Sequence, residues 1–151
     1  MLRKRDTQQG LIRSFDPDDV LANAYHRLFQ PLCQELPDPQ RRFCAIVSAS
    51  RQEGRSTVAV NLAGVAARAT QAPVLLIDAD TASPSLHRRF VLSAAPGLSD
   101  LVTGSAECDA AVRRVGEQGV SILTCGSAPL STVALAESVR IPALLDQATS
   151  L

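Results

Sequence analysis

Three short runs dominated by apolar residues, Phe43–Val47, Val74–Ile77 and Val120–Leu123, constrain this chain more than any other feature. Each is too brief for a helix that buries a whole face, and polar, glycine or proline residues bound them. Near-continuous apolar character suits strands covered on both sides, as in the interior of a parallel sheet. Between the first two lies Arg55–Ala69, rich in Ala, Val and Leu at helical spacing. Ser99–Val102 reads as a short helix stopping at Gly104, and Ala134–Ala148 as a final helix broken or reset near Pro142. Strand alternating with helix predicts an α/β fold with right-handed crossovers around a short, mostly parallel sheet.

The rest of the chain frames this core. Residues 1–15 are polar and without periodicity, so they are expected to form a flexible arm, whose Arg3, Lys4 and Arg5 either stay solvated or touch an anionic surface. Asp16-Pro17 is a helix-opening pair, with the carboxylate as N-cap and proline in the first turn. Val20, Leu21, Ala24, Tyr25, Leu28, Phe29 and Leu32 then recur as one apolar stripe. An opening helix is expected over 16–36, a proline-bearing linker over 37–42, and the α/β core over 43–151. At 151 residues and 46% hydrophobic content the chain suits one domain, and the composition argues against an intrinsically disordered chain. Fifteen basic against fifteen acidic residues argue against nucleic acid as partner. Cys33, Cys44, Cys108 and Cys125 lack C-x-x-C spacing, which fits reduced, mostly buried thiols in a cytoplasmic setting.

The chemistry concentrates in two segments. Ala49, Ser50, Arg51, Gln52, Glu53, Gly54, Arg55, Ser56 and Thr57 lie between an expected strand and an expected helix, the setting of a phosphate-binding loop. There, main-chain N–H groups curl around phosphates and the helix N-terminus adds its positive end. Gly54 permits close backbone approach, and the Ser56 hydroxyl would serve Mg²⁺. Relative to G-x-x-x-x-G-K-[ST], Ala49 replaces the first glycine and Arg55 the lysine. A planar guanidinium fits the enclosure less well than a compact ammonium. An ordinary strand-to-helix turn is the competing reading. In the second segment, Asp78 and Asp80 follow the Val74–Ile77 run, at the carboxyl end of a strand where α/β sheets bind ligands. They are candidate catalytic carboxylates, with Asp78 also a metal-side group; capping of a following helix is the alternative.

Together with Ser48–Ala63, Val74–Phe90, Gly97–Gly104 and Gly119–Gly126, these residues resemble the cytoplasmic domain of bacterial tyrosine kinases of capsule and exopolysaccharide biosynthesis, P-loop ATPases with a deviant Walker A motif. The D-x-D followed by Pro84-Ser85-Leu86-His87 is more specific than the loop, and Asn23–Leu28 looks like the family's opening helix. The resemblance implies a three-layer P-loop sandwich, use of ATP and Mg²⁺, and tyrosine phosphorylation. It further implies a membrane-anchored polysaccharide co-polymerase as partner, ring-like homo-oligomers, and recruitment to the inner face of the plasma membrane. Position by position, Gly54 to Thr57 would contact phosphates and Mg²⁺, while Asp78 and Asp80 would be the carboxylates of the second Walker motif.

The departures bear on mechanism. Arg55 stands for the lysine, Ala82 for an arginine, and Asn23, His26 and Phe29 for charged subunit-bridging residues. The sequence ends at Leu151, where the family continues into the strand bearing the Walker B aspartate, so the expectation is a domain truncated before that strand. Tyr25 is the one tyrosine, on the apolar face of the first helix. Three readings follow: a kinase-family enzyme weak or inactive in phosphoryl transfer, a pseudo-kinase adaptor of the co-polymerase, and a partitioning-type P-loop ATPase. The Pro84–His87 and Gly97–Gly104 segments disfavour the last. Leu86, Phe90 and Leu92 are expected to fill the core, and His87, Arg88 and Arg89 to form a solvated basic face or to read a phosphate.

Overall fold

Helices cover both faces of a small mixed sheet, and the strand side chains show why. A computed structural model describes residues 20–35, 43–116, 119–128 and 130–148. The strands are β1 (Val74–Ile77), β2 (Val112–Val115) and β3 (Val120–Leu123), in spatial order β1-β3-β2. β1 runs parallel to β3 with Val74 opposite Val120, and β2 runs antiparallel to β3 with Val112 opposite Leu123. Successive strand residues point to opposite faces. Val74, Leu76, Val120 and Ile122 therefore meet Val60, Ala63 and Ala67 of α2 (Arg55–Thr70). Leu75, Ile77 and Leu123 meet the other face, packed with α4 (Leu98–Thr103), α5 (Cys108–Ala111) and α7 (Arg140–Ala148). Ile122 is fully buried, which contributes about 1.5–3 kcal/mol. The three-layer α/β reading holds.

α1 (Val20–Glu35) lies on the outer side of α2, with Ala22, Tyr25 and Phe29 against Val65. Its contact stripe is narrower than the periodicity suggests: Val20, Leu21 and Leu28 are exposed. The helix also continues through Pro31 to Glu35. The expected arm, the Asp16-Pro17 start and the linker over 37–42 lie outside the described residues.

Three expectations need correction. Phe43–Val47 is not a strand; residues 43–48 join no ladder, and Phe43 and Val47 are 49% and 83% exposed. An apolar run becomes a strand only where a neighbour supplies the ladder, and β1, with β3 on one side, is an edge of the described sheet. The last helical segment is two helices, α6 (Thr132–Ala136) and α7. The break falls at 137–139, while Pro142 sits in the first turn of α7, where its missing N–H has no partner to lose. Finally, of the four thiols only Cys125 is buried, and Cys44 is exposed. The short helix ending at Gly104 (φ 78°) forms as expected, as α4. Leu86, in the short helix α3 (Leu86–Arg89), is buried against Ile122, with Phe90 and Leu92 beside it.

Candidate functional site

The loop entering α2 is curled by two left-handed residues, Gln52 (φ 63°) and Gly54 (φ 86°). Gly54 precedes the helix without a side-chain cap, and its carbonyl accepts the Val58 N–H at 2.9 Å to begin the helical ladder. The first-turn N–H groups of a helix have no partner within it, so they point toward the loop. A Cβ built on Gly54 meets nothing within 4 Å, so the space before it is open and the positive φ is what calls for glycine. Within the loop, the Ser48 hydroxyl donates to the Ser50 carbonyl at 2.9 Å. The Ser50 N–H donates to Glu53 Oε2 at 3.1 Å.

The first three residues of α2 all reach the segment following β1. Arg55 Nη2 lies 3.0 Å from Asp80 Oδ2, an ion pair with both side chains 34% exposed. Ser56 Oγ and Ser85 Oγ share a hydrogen bond of 2.8 Å. Thr57 Oγ1 accepts from Arg89 Nη2 at 3.0 Å. The geometry thus brings the loop, Asp78, Asp80 and the Pro84–Arg89 segment together at the carboxyl end of β1, the position at which open α/β sheets bind ligands.

The two aspartates have different surroundings. Asp78 is 6% exposed. Its Oδ2 accepts the Ser85 and Leu86 N–H groups at 2.8 and 2.9 Å, and its Oδ1 the Asp80 N–H at 3.3 Å. It closes the N-terminus of α3 and fixes Ser85. Asp80 accepts the Ser83 N–H at 2.9 Å through Oδ1 and turns Oδ2 to Arg55. Asp80 is the more accessible of the two carboxylates. Ser85 carries no assigned role in the sequence, and no local pattern announces a cap supplied by a carboxylate seven residues upstream. Of the basic trio, Arg88 is exposed and Arg89 is held by Thr57. His87 Nδ1 and Arg89 Nη1 are buried without a hydrogen-bond partner among the described residues.

A second layer of bonds supports the crevice from the β3 side. Asp100 Oδ2 accepts the Gly97 N–H at 2.8 Å and the Ser127 N–H at 3.4 Å, and Ser99 Oγ accepts the Ala128 N–H at 3.1 Å. Cys125 lies in this wall. Burial first, then the charges of Asp78, Asp80 and Asp100, push its thiol pKa up. Thiolate is the reactive form, so at a given pH Cys125 holds less of it than an ordinary cysteine. Maleimide modification followed by mass spectrometry at pH 8 is expected to label Cys44 well before Cys125, and Cys125 labelling should still be climbing above pH 9. Equal rates at pH 8 would contradict this placement.

The residues fit a polyphosphate: a curled loop, a helix start, an open mouth before Gly54 and a guanidinium at position 55. For a divalent cation they supply the Ser56 hydroxyl and the Asp80 carboxylate. No group of three or more His, Cys, Asp or Glu able to hold a metal occurs among the described residues. Such a cation would rely on phosphate oxygens and water for its remaining ligands, the usual habit of Mg²⁺.

No family model matches the chain. The tyrosine-protein kinase YwqD of Bacillus subtilis (strain 168) is 31% identical over 131 residues, 87% of this chain and 55% of that protein. Among solved structures, the kinase domain of the Escherichia coli tyrosine kinase ETK superposes with a TM-score of 0.79 at 28% identity, covering 89% of this chain and 52% of that one. The chain is a relative of the bacterial tyrosine-protein kinases. The BceF tyrosine kinase domain agrees, with a TM-score of 0.76 at 29% identity over 90% of this chain and 54% of its own. The chain therefore spans about half of each of these three kinase chains. The P-loop character of its fold follows from the same kinase-domain likeness. Among the described residues, no helix is long and apolar enough to cross a membrane.

Proposed function

We propose that the chain binds Mg-ATP or Mg-ADP through residues 49–57 with Asp80, and serves capsule or exopolysaccharide production as a nucleotide-binding component acting at the inner face of the plasma membrane. The observation that carries this reading is the left-handed curl at Gln52 and Gly54, set before a helix whose first residues face the Asp78–Asp80 segment. The likeness to bacterial tyrosine kinases supports ATP as the nucleotide. Ser56 and Asp80 would hold Mg²⁺, which supplies neutralisation of phosphate charge. The loop amides would hold phosphate oxygens, and Arg55 would pair with the outermost phosphate.

Binding fits this arrangement better than transfer. Phosphoryl transfer depends on positioning, and Arg55 presents a longer planar group where a compact lysine serves that fold. Tyr25 is half-buried on α1 beside Val65, which makes it a poor phosphoryl acceptor. These two facts favour a second reading alongside the first: a pseudo-kinase adaptor that engages a membrane-anchored polysaccharide co-polymerase. A pull-down with the cytoplasmic tail of that co-polymerase tests it, and failure to bind would remove the adaptor.

Calorimetric titration with Mg-ADP tests the nucleotide reading. The wild-type chain is expected to bind weakly, and Arg55→Lys to bind about tenfold tighter, a difference of about 1.4 kcal/mol. No heat of binding from either protein would reduce the loop to a structural turn.

A further inference from the structure

Both halves of this site are already answered from within the chain. On the anion side, the Glu53 carboxylate holds the Ser50 N–H, one of the loop amides a phosphate oxygen would use. On the cation side, the Arg55 guanidinium holds the Asp80 carboxylate. Glu53 therefore stands where a ligand's negative charge belongs, and Arg55 stands where a cation belongs. Both contacts are at least partly open to solvent, so neither is locked by burial.

We infer that the unliganded site is self-occupied, and that a metal–polyphosphate enters by exchange, displacing Glu53 from the loop amide and Arg55 from Asp80. This rests on the nucleotide reading above and adds its regulation. The exchange couples the two ligands. A polyphosphate that draws Arg55 away frees Asp80 for the cation, and a cation that takes Asp80 frees Arg55 for the polyphosphate. Coupling of this kind is reciprocal by necessity: each ligand raises the other's affinity by the same factor. The coupling adds to the ordinary chelation of the cation by the phosphates. It also makes the isolated domain a poor binder of either ligand alone, since each must first break an internal contact.

The test is ADP binding to the full chain by calorimetry, once in EDTA and once with Mg²⁺. The proteins are wild type, Glu53→Gln, Asp80→Asn and the remote exposed control Asp109→Asn. In EDTA, Glu53→Gln and Asp80→Asn are expected to tighten ADP by about two- to fivefold relative to the control, the scale of a partly exposed ionic contact. Mg²⁺ should strengthen ADP binding to wild type and to Glu53→Gln, whereas Asp80→Asn should lose most of that gain. Circular dichroism melts confirm that the variants are folded before titration. Variants that match Asp109→Asn in EDTA, or an Asp80→Asn protein that keeps the full Mg²⁺ gain, would overturn the exchange while leaving nucleotide binding intact. Absence of ADP binding in every protein would instead remove the nucleotide reading, and the exchange with it.

Discussion

Asp78→Ala is expected to lower the stability of the domain by about 3–5 kcal/mol, a large share of the 5–15 kcal/mol typical of folded domains. The carboxylate is 6% exposed and accepts three main-chain N–H groups, those of Asp80, Ser85 and Leu86. Alanine leaves these donors without their acceptor in a place water reaches poorly. Hydrogen bonds to a charged group contribute about 1.5–3 kcal/mol each, and loss of the buried acceptor strands its partners. Asp78→Asn is expected to cost about 2 kcal/mol, because the carbonyl oxygen can keep the Ser85 and Leu86 donors while the amide NH₂ faces the Asp80 N–H. Urea unfolding followed by circular dichroism measures both. A stable Asp78→Ala protein that had lost only nucleotide binding would make Asp78 a ligand-side group and overturn its assignment as the anchor of α3.

The second large effect is Gly126→Ala, expected to cost about 2–5 kcal/mol. Gly126 has φ 92°, and an added Cβ would run into Ser99 Oγ, Asp100 Oδ2 and the Ser99 N–H. Overpacking costs about 1–3 kcal/mol, and the left-handed backbone adds about 1–2 kcal/mol for an L residue. Gly54→Ala provides the contrast, with a similar φ of 86° but nothing within 4 Å. Only the backbone contribution applies there, so its stability loss should stay near 1–2 kcal/mol. Thermal melts of the two variants check the difference, with Gly126→Ala melting several degrees below Gly54→Ala. Equal melting points would show that the approach of the loop after β3 to α4 is looser than these contacts state.

The core that positions the site was legible because its signals are local. β1, β3 and α2 each carry their own periodicity, and the loop between residues 49 and 57 carries its glycine and its hydroxyl at fixed spacing. What could not be read depended on distant partners. Phe43–Val47 has a strand's composition, but composition does not secure pairing: the segment joins no ladder, and the outer edge of β1 stays unpaired among the described residues. β2 escaped notice because Val112-Arg113-Arg114-Val115 lacks an apolar run. Arg113 is nonetheless drawn inward by the carbonyls of Ala95 and Pro96, at 3.0 Å each. The division of labour between Asp78 and Asp80 was equally hidden. Two carboxylates two residues apart look alike in sequence, and only the return of Ser85 and Leu86 to β1 separates an anchor from an accessible group.

Beneath both readings of function lies one claim: the bend between the 43–48 segment and α2 holds phosphate. Amide chemical-shift mapping of the isotope-labelled chain during Mg-ADP titration tests it most directly. Binding should move the signals of residues 50–57 together with those of Asp80 and Ser85, and leave α7 unchanged. Shifts confined to α4 and α7, with the loop signals still, would contradict the claim.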